Sequence, residues 1–218
     1  MKHSVFTMAI VGILSAPAAY AQTTAQAATA LNLRAGPGPA EEIISVIPTD
    51  GEVTVVGCLD ASNWCEVSFE GTSGWAYGDY LTVQIEDQPD PVVLYENRDR
   101  VTVHTIERTD TSGESALGAG TVGMLAGAVV GGPIGAAIGG ILGAGAGAAF
   151  DPGEQVVTYV QTNPMDQIYL DGEVVVGAGI PDVVELRSVP ESQYSYAYVN
   201  GVPVVVDPET RQIVHILR

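Results

Sequence analysis

Short runs of alternating hydrophobic and polar residues fill two parts of the chain, residues 28–83 and residues 154–218. In the first part, runs such as Ile43–Ile47, Val53–Cys58 and Trp64–Phe69 are separated by Gly, Pro, Asp and Asn. Runs of period two that end in turn residues are typical of half-buried strands. We therefore expect a small β barrel over residues 28–83, preceded by a flexible polar leader.

The second part, residues 154–218, has the same kind of pattern. Asp171-Gly172 divides the apolar run at 168–176 and predicts a hairpin with a two-residue turn, and Asn200-Gly201 predicts another. A further strand is expected over Gln212–Leu217. The pattern predicts a small antiparallel β domain. The overall fold class is mostly β with one α segment.

Residues 84–112 form a polar connector, in which the alternation between Arg100 and Arg108 predicts a strand. The next segment, residues 115–150, contains no charged residue and repeats glycine at every fourth position. These glycines form the predicted packing face of a helix: Gly123, Gly127, Gly131, Gly135, Gly139, Gly143 and Gly147. Such a face lets helices approach closely inside a membrane.

Pro133 follows two glycines and predicts a turn, so residues 115–150 are expected to form a glycine-zipper helical hairpin. The hairpin either makes contact with a membrane or joins copies of the chain into a homo-oligomer. A flexible or surface-lying Gly/Ala tract is the alternative.

Residues 1–21 have the features of a secretory signal peptide. Lys2 precedes the apolar run Val5–Leu14, and Ala19-Tyr20-Ala21 fits the cleavage site. An uncleaved anchor is the alternative. We expect an exported protein that lies in the periplasm or at an envelope membrane.

The net charge and the cysteine content indicate which partners and which cysteine chemistry to expect. The chain carries 8 basic and 26 acidic side chains, a formal net charge of −18. Nucleic acid repels such a surface, so we expect no nucleic-acid partner. Cys58 and Cys65 are the two cysteines, and in an oxidising compartment they are expected to form a disulfide.

Four motifs in the first part resemble those of the bacterial SH3-like domain. They are Leu31–Pro37, Gly51–Gly57, Asn63–Val67, and Gly74-Trp75-Ala76 followed by Tyr80-Leu81. The resemblance implies a small barrel whose partner is peptidoglycan or a protein. Such modules also serve as plain scaffolds, so a binding role remains a hypothesis.

Aromatic side chains are the candidate ligand contacts of this module. Trp64, Tyr77 and Tyr80 are expected to line a groove for a peptide or glycan strand. Trp64 directly follows a turn, so we expect it to be partly exposed, whereas Trp75 is expected in the core.

The second part also resembles a known family. Four segments are similar to a bacterial domain of unknown function that occurs in small secreted envelope proteins, often beside SH3-like modules. They are Val175–Pro181, Val184–Leu186, Tyr198–Gly201 and Val205–Val214. The resemblance implies no activity.

The sequence contains no recognisable catalytic motif. His104 and His215 are the histidines that remain after signal cleavage, and neither belongs to a catalytic or metal-ligand motif. We expect no catalytic residues, no metal and no cofactor. The leading hypothesis is a non-enzymatic cell-envelope protein that binds through its SH3-like module. The alternative is a glycine-zipper oligomer that acts as a pore or an envelope-stress factor.

Overall fold

The computed structural model describes residues 23–107 and 150–218, which we call the N-terminal unit and the C-terminal unit. The predicted signal peptide and almost all of the glycine-zipper segment lie outside the described residues. The predicted fold class is confirmed, because both units are built mainly of strands and the C-terminal sheet is small and largely antiparallel.

The N-terminal unit is a nine-stranded sheet in the order β3-β2-β6-β5-β4-β1-β7-β8, with β9 paired to β4. Neighbours are antiparallel except for β4 and β9. The strands are β1 Thr23–Ala27, β2 Leu31–Arg34, β3 Ile43–Ile47, β4 Glu52–Leu59, β5 Trp64–Phe69, β6 Thr72–Tyr77, β7 Leu81–Val83, β8 Val92–Val93 and β9 Thr105–Ile106.

The prediction of a flexible leader is wrong, because Thr23–Ala27 forms strand β1 between β4 and β7. Ala25 and Ala27 are buried while Thr24 and Gln26 face outward. The two buried alanines belong to the same apolar core as Val53 of β4 and Leu81 of β7. The expected strand near Arg100 is shorter than predicted and is limited to β9.

The C-terminal sheet has the order β10-β12-β13-β14, with β11 paired to β12. Its strands are β10 Gln167–Ile168, β11 Arg187–Ser188, β12 Ser195–Val199, β13 Val202–Val206 and β14 Ile213–Ile216. The hairpin at Asn200-Gly201 is confirmed: the two residues have φ of 50° and 91°, as a tight hairpin turn requires.

The hairpin expected at Asp171-Gly172 is wrong. β10 pairs in parallel with β12, and Glu173–Val176 forms no strand. The physical reason is that the Asn200 side chain takes the backbone partners that a hairpin ladder would have used.

A helix, α1 Glu154–Thr162, was not expected from the sequence. Val156 and Val160 lie one turn apart and are buried against the outer side of the C-terminal sheet, beside Tyr196 and Val205. Nine residues give little periodic signal, and Gly153 precedes the helix with a positive φ of 88°. Packing against the sheet therefore stabilises this helix more than its own propensity does.

One continuous apolar core joins the two units. It contains Leu31, Leu33 and Leu81 from the N-terminal unit together with Leu170 and Val204 from the C-terminal unit. The two units therefore pack against each other as one body.

Candidate functional site

A buried ion pair lies at the junction of the two units. Arg34 at the end of β2 and Glu173 of the C-terminal unit are 1% and 0% exposed and are joined by two hydrogen bonds. Nε of Arg34 donates to Oε2 of Glu173, and Nη2 donates to Oε1 at 2.7 Å. A guanidinium that meets a carboxylate through two nitrogen atoms forms one of the strongest and most directional contacts in proteins.

Further donors complete the coordination of the Glu173 carboxylate. Asn32 donates from Nδ2 to Oε1 at 3.0 Å, and the backbone N–H of Val174 donates to the same oxygen at 2.8 Å. Arg34 also donates to the carbonyl oxygens of Glu41 and Asn200, at 2.7 and 2.9 Å. Both charged side chains are therefore well supplied with partners, which buried charges require.

The alternation of strand β2 explains why Asn32 and Arg34 reach the C-terminal unit. Leu31 and Leu33 point into the core, so Asn32 and Arg34 point to the other side of the sheet. All four residues are buried, because the core covers one side and the C-terminal unit covers the other. Trp75 of β6 lies directly opposite Arg34 on the same side and is half-buried.

Asn200 positions the segment that carries Glu173. Its Oδ1 accepts from the backbone N–H of Leu170 at 2.8 Å, and its Nδ2 donates to the carbonyl oxygens of Leu170 and Gly172 at 3.0 and 3.1 Å. The bend that these bonds hold directs Glu173 toward β2. An asparagine amide can replace backbone partners in this way because it carries both an acceptor oxygen and two donor hydrogens.

The three aromatic residues that were predicted to form a groove lie in a row. The ring centroids of Trp64 and Tyr77 are 5.4 Å apart, and those of Tyr77 and Tyr80 are 6.0 Å apart. Trp64 and Tyr80 are buried and Tyr77 is half-buried, so the expectation of a partly exposed Trp64 is wrong. Trp75, which was expected in the core, is the more exposed tryptophan.

The charges around these rings come from both units. Burial raises the pKa of Tyr77, and the carboxylates of Asp79 and Asp171 raise it further. Burial likewise raises the pKa of Tyr80, with smaller effects from Tyr77, Asp79 and Glu173. Tyr80 belongs to the same apolar core as Leu170 and Val174 of the C-terminal unit, and Tyr77 packs against that core. The apolar core therefore continues from Tyr80 into the C-terminal unit, and a ligand groove along this row stays a prediction.

Strand β3 is the open part of the same sheet. It lies at one end of the strand order, and among residues 23–107 and 150–218 it pairs with β2 alone. A bulge between Ile43 and Ser45 leaves Ile44 41% exposed. An edge strand offers unpaired backbone donors and acceptors, and an exposed apolar side chain beside them is the kind of surface to which extended peptides bind.

The predicted disulfide is present between Cys58 and Cys65, which face each other on β4 and β5 and are fully buried. Neither cysteine is therefore a free nucleophile. The ring of His215 makes a 2.8 Å hydrogen bond with the carbonyl oxygen of Phe150, and no group of three or more candidate metal ligands occurs in residues 23–107 and 150–218.

Sequence reasoning did not identify the ion pair as a site. Asn32 and Arg34 belong to the first motif of the SH3-like resemblance, but the position of Glu173, 139 residues after Arg34, gives no local signal. The available signal was the position of Arg34 between the apolar residues Leu33 and Ala35, because a charged residue needs a partner when it is buried.

Comparison with solved structures gives a short likeness only. A structure described as NlpC2 from Trichomonas vaginalis is 22% identical over 29% of this chain and 23% of its own length, with a TM-score of 0.27. No curated protein matches the chain. Within the described residues, no helix is long and apolar enough to cross a membrane.

Family models match both units, and neither family is one of enzymes. The two resemblances expected from the sequence motifs are thereby confirmed. A bacterial SH3 domain suggests a binding module. The chain thus joins a segment similar to the bacterial SH3 domain, residues 29–82, to a segment similar to a domain of unknown function (DUF1236), residues 159–218.

Proposed function

We propose that this is an exported, non-enzymatic envelope protein whose SH3-like unit binds peptides, with the peptide part of peptidoglycan as the first candidate. The observation that carries the proposal is the outer edge of β3, which has no partner strand within the described residues and at which Ile44 is exposed. A peptide that lies along this edge gains backbone hydrogen bonds and one apolar contact.

Two separate features support an exported location. The apolar run near the N-terminus is typical of a signal peptide, and a buried disulfide is typical of proteins that fold in an oxidising compartment. The predicted role of residues 115–150, membrane association or self-assembly, stays a prediction. Nothing in the described residues favours the alternative of a pore.

Charge favours a peptide over an anionic wall polymer. The chain has a formal net charge of −18, and Glu41 and Glu42 directly precede β3. Carboxylates at this end of the strand repel anionic polymers and attract the amino groups of a peptide. We therefore expect modest affinity that weakens as salt screens the attraction.

Cosedimentation with purified murein sacculi tests the proposal. Ile44→Asp places a carboxylate on the free edge, where it should remove most of the bound protein, since charge at an edge opposes the approach of another strand. Val56→Asp is the matched control: Val56 is 42% exposed and also sits at a bulge, but its strand β4 has neighbours on both sides. The control adds the same charge and should bind as the wild type does.

Two results would contradict this proposal. If the wild-type protein stays in the supernatant, peptidoglycan is not the ligand. If both variants sediment equally, the edge of β3 is not the binding surface. Circular dichroism of both variants checks that the sheets are intact.

A further inference from the structure

We infer that Asn32 and Arg34 form a carboxylate-binding site on the SH3-like unit, and that the C-terminal unit occupies this site with Glu173. The inference goes beyond the proposed function, because it gives the C-terminal unit a role: it is the resident ligand of the unit that precedes it. It does not depend on what binds at β3.

The coordination of Glu173 is that of a bound ligand. Of the four hydrogen bonds that its carboxylate receives within the described residues, three come from side-chain nitrogen atoms of the N-terminal unit, two from Arg34 and one from Asn32. The fourth comes from the neighbouring backbone N–H of Val174. Both carboxylate oxygens are used, and the side chain has no exposed surface. A neutral or shorter side chain could not satisfy these donors together.

The receiving side chains are held in place by contacts other than the carboxylate. Nη1 of Arg34 donates to the carbonyl oxygen of Glu41, which fixes one end of the guanidinium. Oδ1 of Asn32 accepts from Nε of Arg218 at 3.0 Å, so the Nδ2 donor of Asn32 is turned toward Glu173. Donors fixed in this way lose little freedom when a carboxylate arrives, which favours binding.

The chemistry of the site selects a carboxylate of any origin. Arg34 presents two parallel N–H groups, and Asn32 adds a third donor from the side. An acidic side chain, the C-terminus of a peptide and a small free carboxylate share this group. In the intact chain Glu173 keeps the site filled and buried. The site becomes open to another carboxylate only when the Glu173 carboxylate is removed.

Chemical rescue in the full-length chain tests this inference. Glu173→Ala removes the carboxylate and leaves space that faces Arg34 and Asn32. We expect a lower thermal midpoint and greater acrylamide quenching of tryptophan fluorescence, because Trp75 lies opposite Arg34 on the same side of the sheet. Sodium acetate should raise the midpoint and lower the quenching in a saturable way. Sodium chloride at the same ionic strength and neutral acetamide should do neither.

Asp182→Ala is the matched control. Asp182 is a carboxylate of the same unit that pairs with Arg211 at 3.2 Å, but its side chain is 96% exposed. This variant and the wild type should show no response that is specific to acetate. An equal response of Glu173→Ala to acetate and chloride, or an equal acetate response in Asp182→Ala, would overturn the inference.

A second variant covers the case in which Glu173→Ala does not fold. Glu173→Gln keeps the size of the side chain but turns one carboxylate oxygen into a donor that faces the Arg34 donors. We expect a midpoint well below that of Asp182→Ala and no rescue by acetate, because the amide fills the space. A midpoint equal to that of Asp182→Ala would show that no carboxylate is required at this position.

Discussion

Replacement of Asn200 offers the sharpest test of how the junction is built. Asn200 is fully buried, has a φ of 50°, and forms the first position of the β12–β13 turn. Its side chain makes three hydrogen bonds to the backbone of Leu170 and Gly172. Within the described residues these are the hydrogen bonds of that side chain, so the bend before Glu173 depends on them.

The expected magnitude follows from these contacts. Each buried hydrogen bond contributes about 1 kcal/mol net, so Asn200→Gly should cost about 3 kcal/mol of the free energy of unfolding. Asn200→Ala loses the same three bonds and also forces alanine into the left-handed region, which adds about 1–2 kcal/mol. We therefore expect a cost of about 4–5 kcal/mol for alanine, a large share of the stability of a typical domain.

Urea unfolding, followed by tryptophan fluorescence, measures both variants. Asn97→Ala is the control, because Asn97 is half-buried and its Nδ2 makes one hydrogen bond, to the carbonyl oxygen of Val93. It should cost about 1 kcal/mol or less. An Asn200→Ala cost no greater than that of the control would refute the role of the three hydrogen bonds. Equal costs for glycine and alanine would refute the conformational part.

Two further predictions concern the N-terminal unit. The Cys58→Ser, Cys65→Ser double variant should unfold about 2.5 kcal/mol more easily, because the disulfide closes a loop with a sequence separation of 7, and wild-type protein under reductant should show the same loss. Burial raises the pKa of Asp79 above its ordinary 3.8, with an opposing effect from the hydrogen bond that Asn63 donates. The native state therefore holds that proton more tightly than the unfolded state, so the contribution of Asp79 to stability is present below pH 3.8 and is lost as the pH rises through the raised pKa. Asp79→Asn should remove this loss, and a difference in thermal midpoint between the two proteins that does not change with pH would contradict the assignment.

Local signals in the sequence determined the parts of the fold that depend on neighbouring residues. Alternating apolar residues predicted strands β3, β4 and β5, and Asn200-Gly201 predicted the hairpin between β12 and β13. The cysteine pair predicted the disulfide for the same reason, since Cys58 and Cys65 face each other across one hairpin. The family resemblances rested on motifs of this local kind.

Only the tertiary structure decided the features that depend on distant partners. Thr23–Ala27 forms a strand because it pairs with β4 and β7, and α1 is stabilised because Val156 and Val160 pack against the C-terminal sheet. Trp64 is buried although it follows a turn. Arg34 and Glu173 meet across 139 residues of sequence. A strand pattern specifies which side chains share a face, but the element that covers that face is chosen by packing and by the need of a buried charge for its partner.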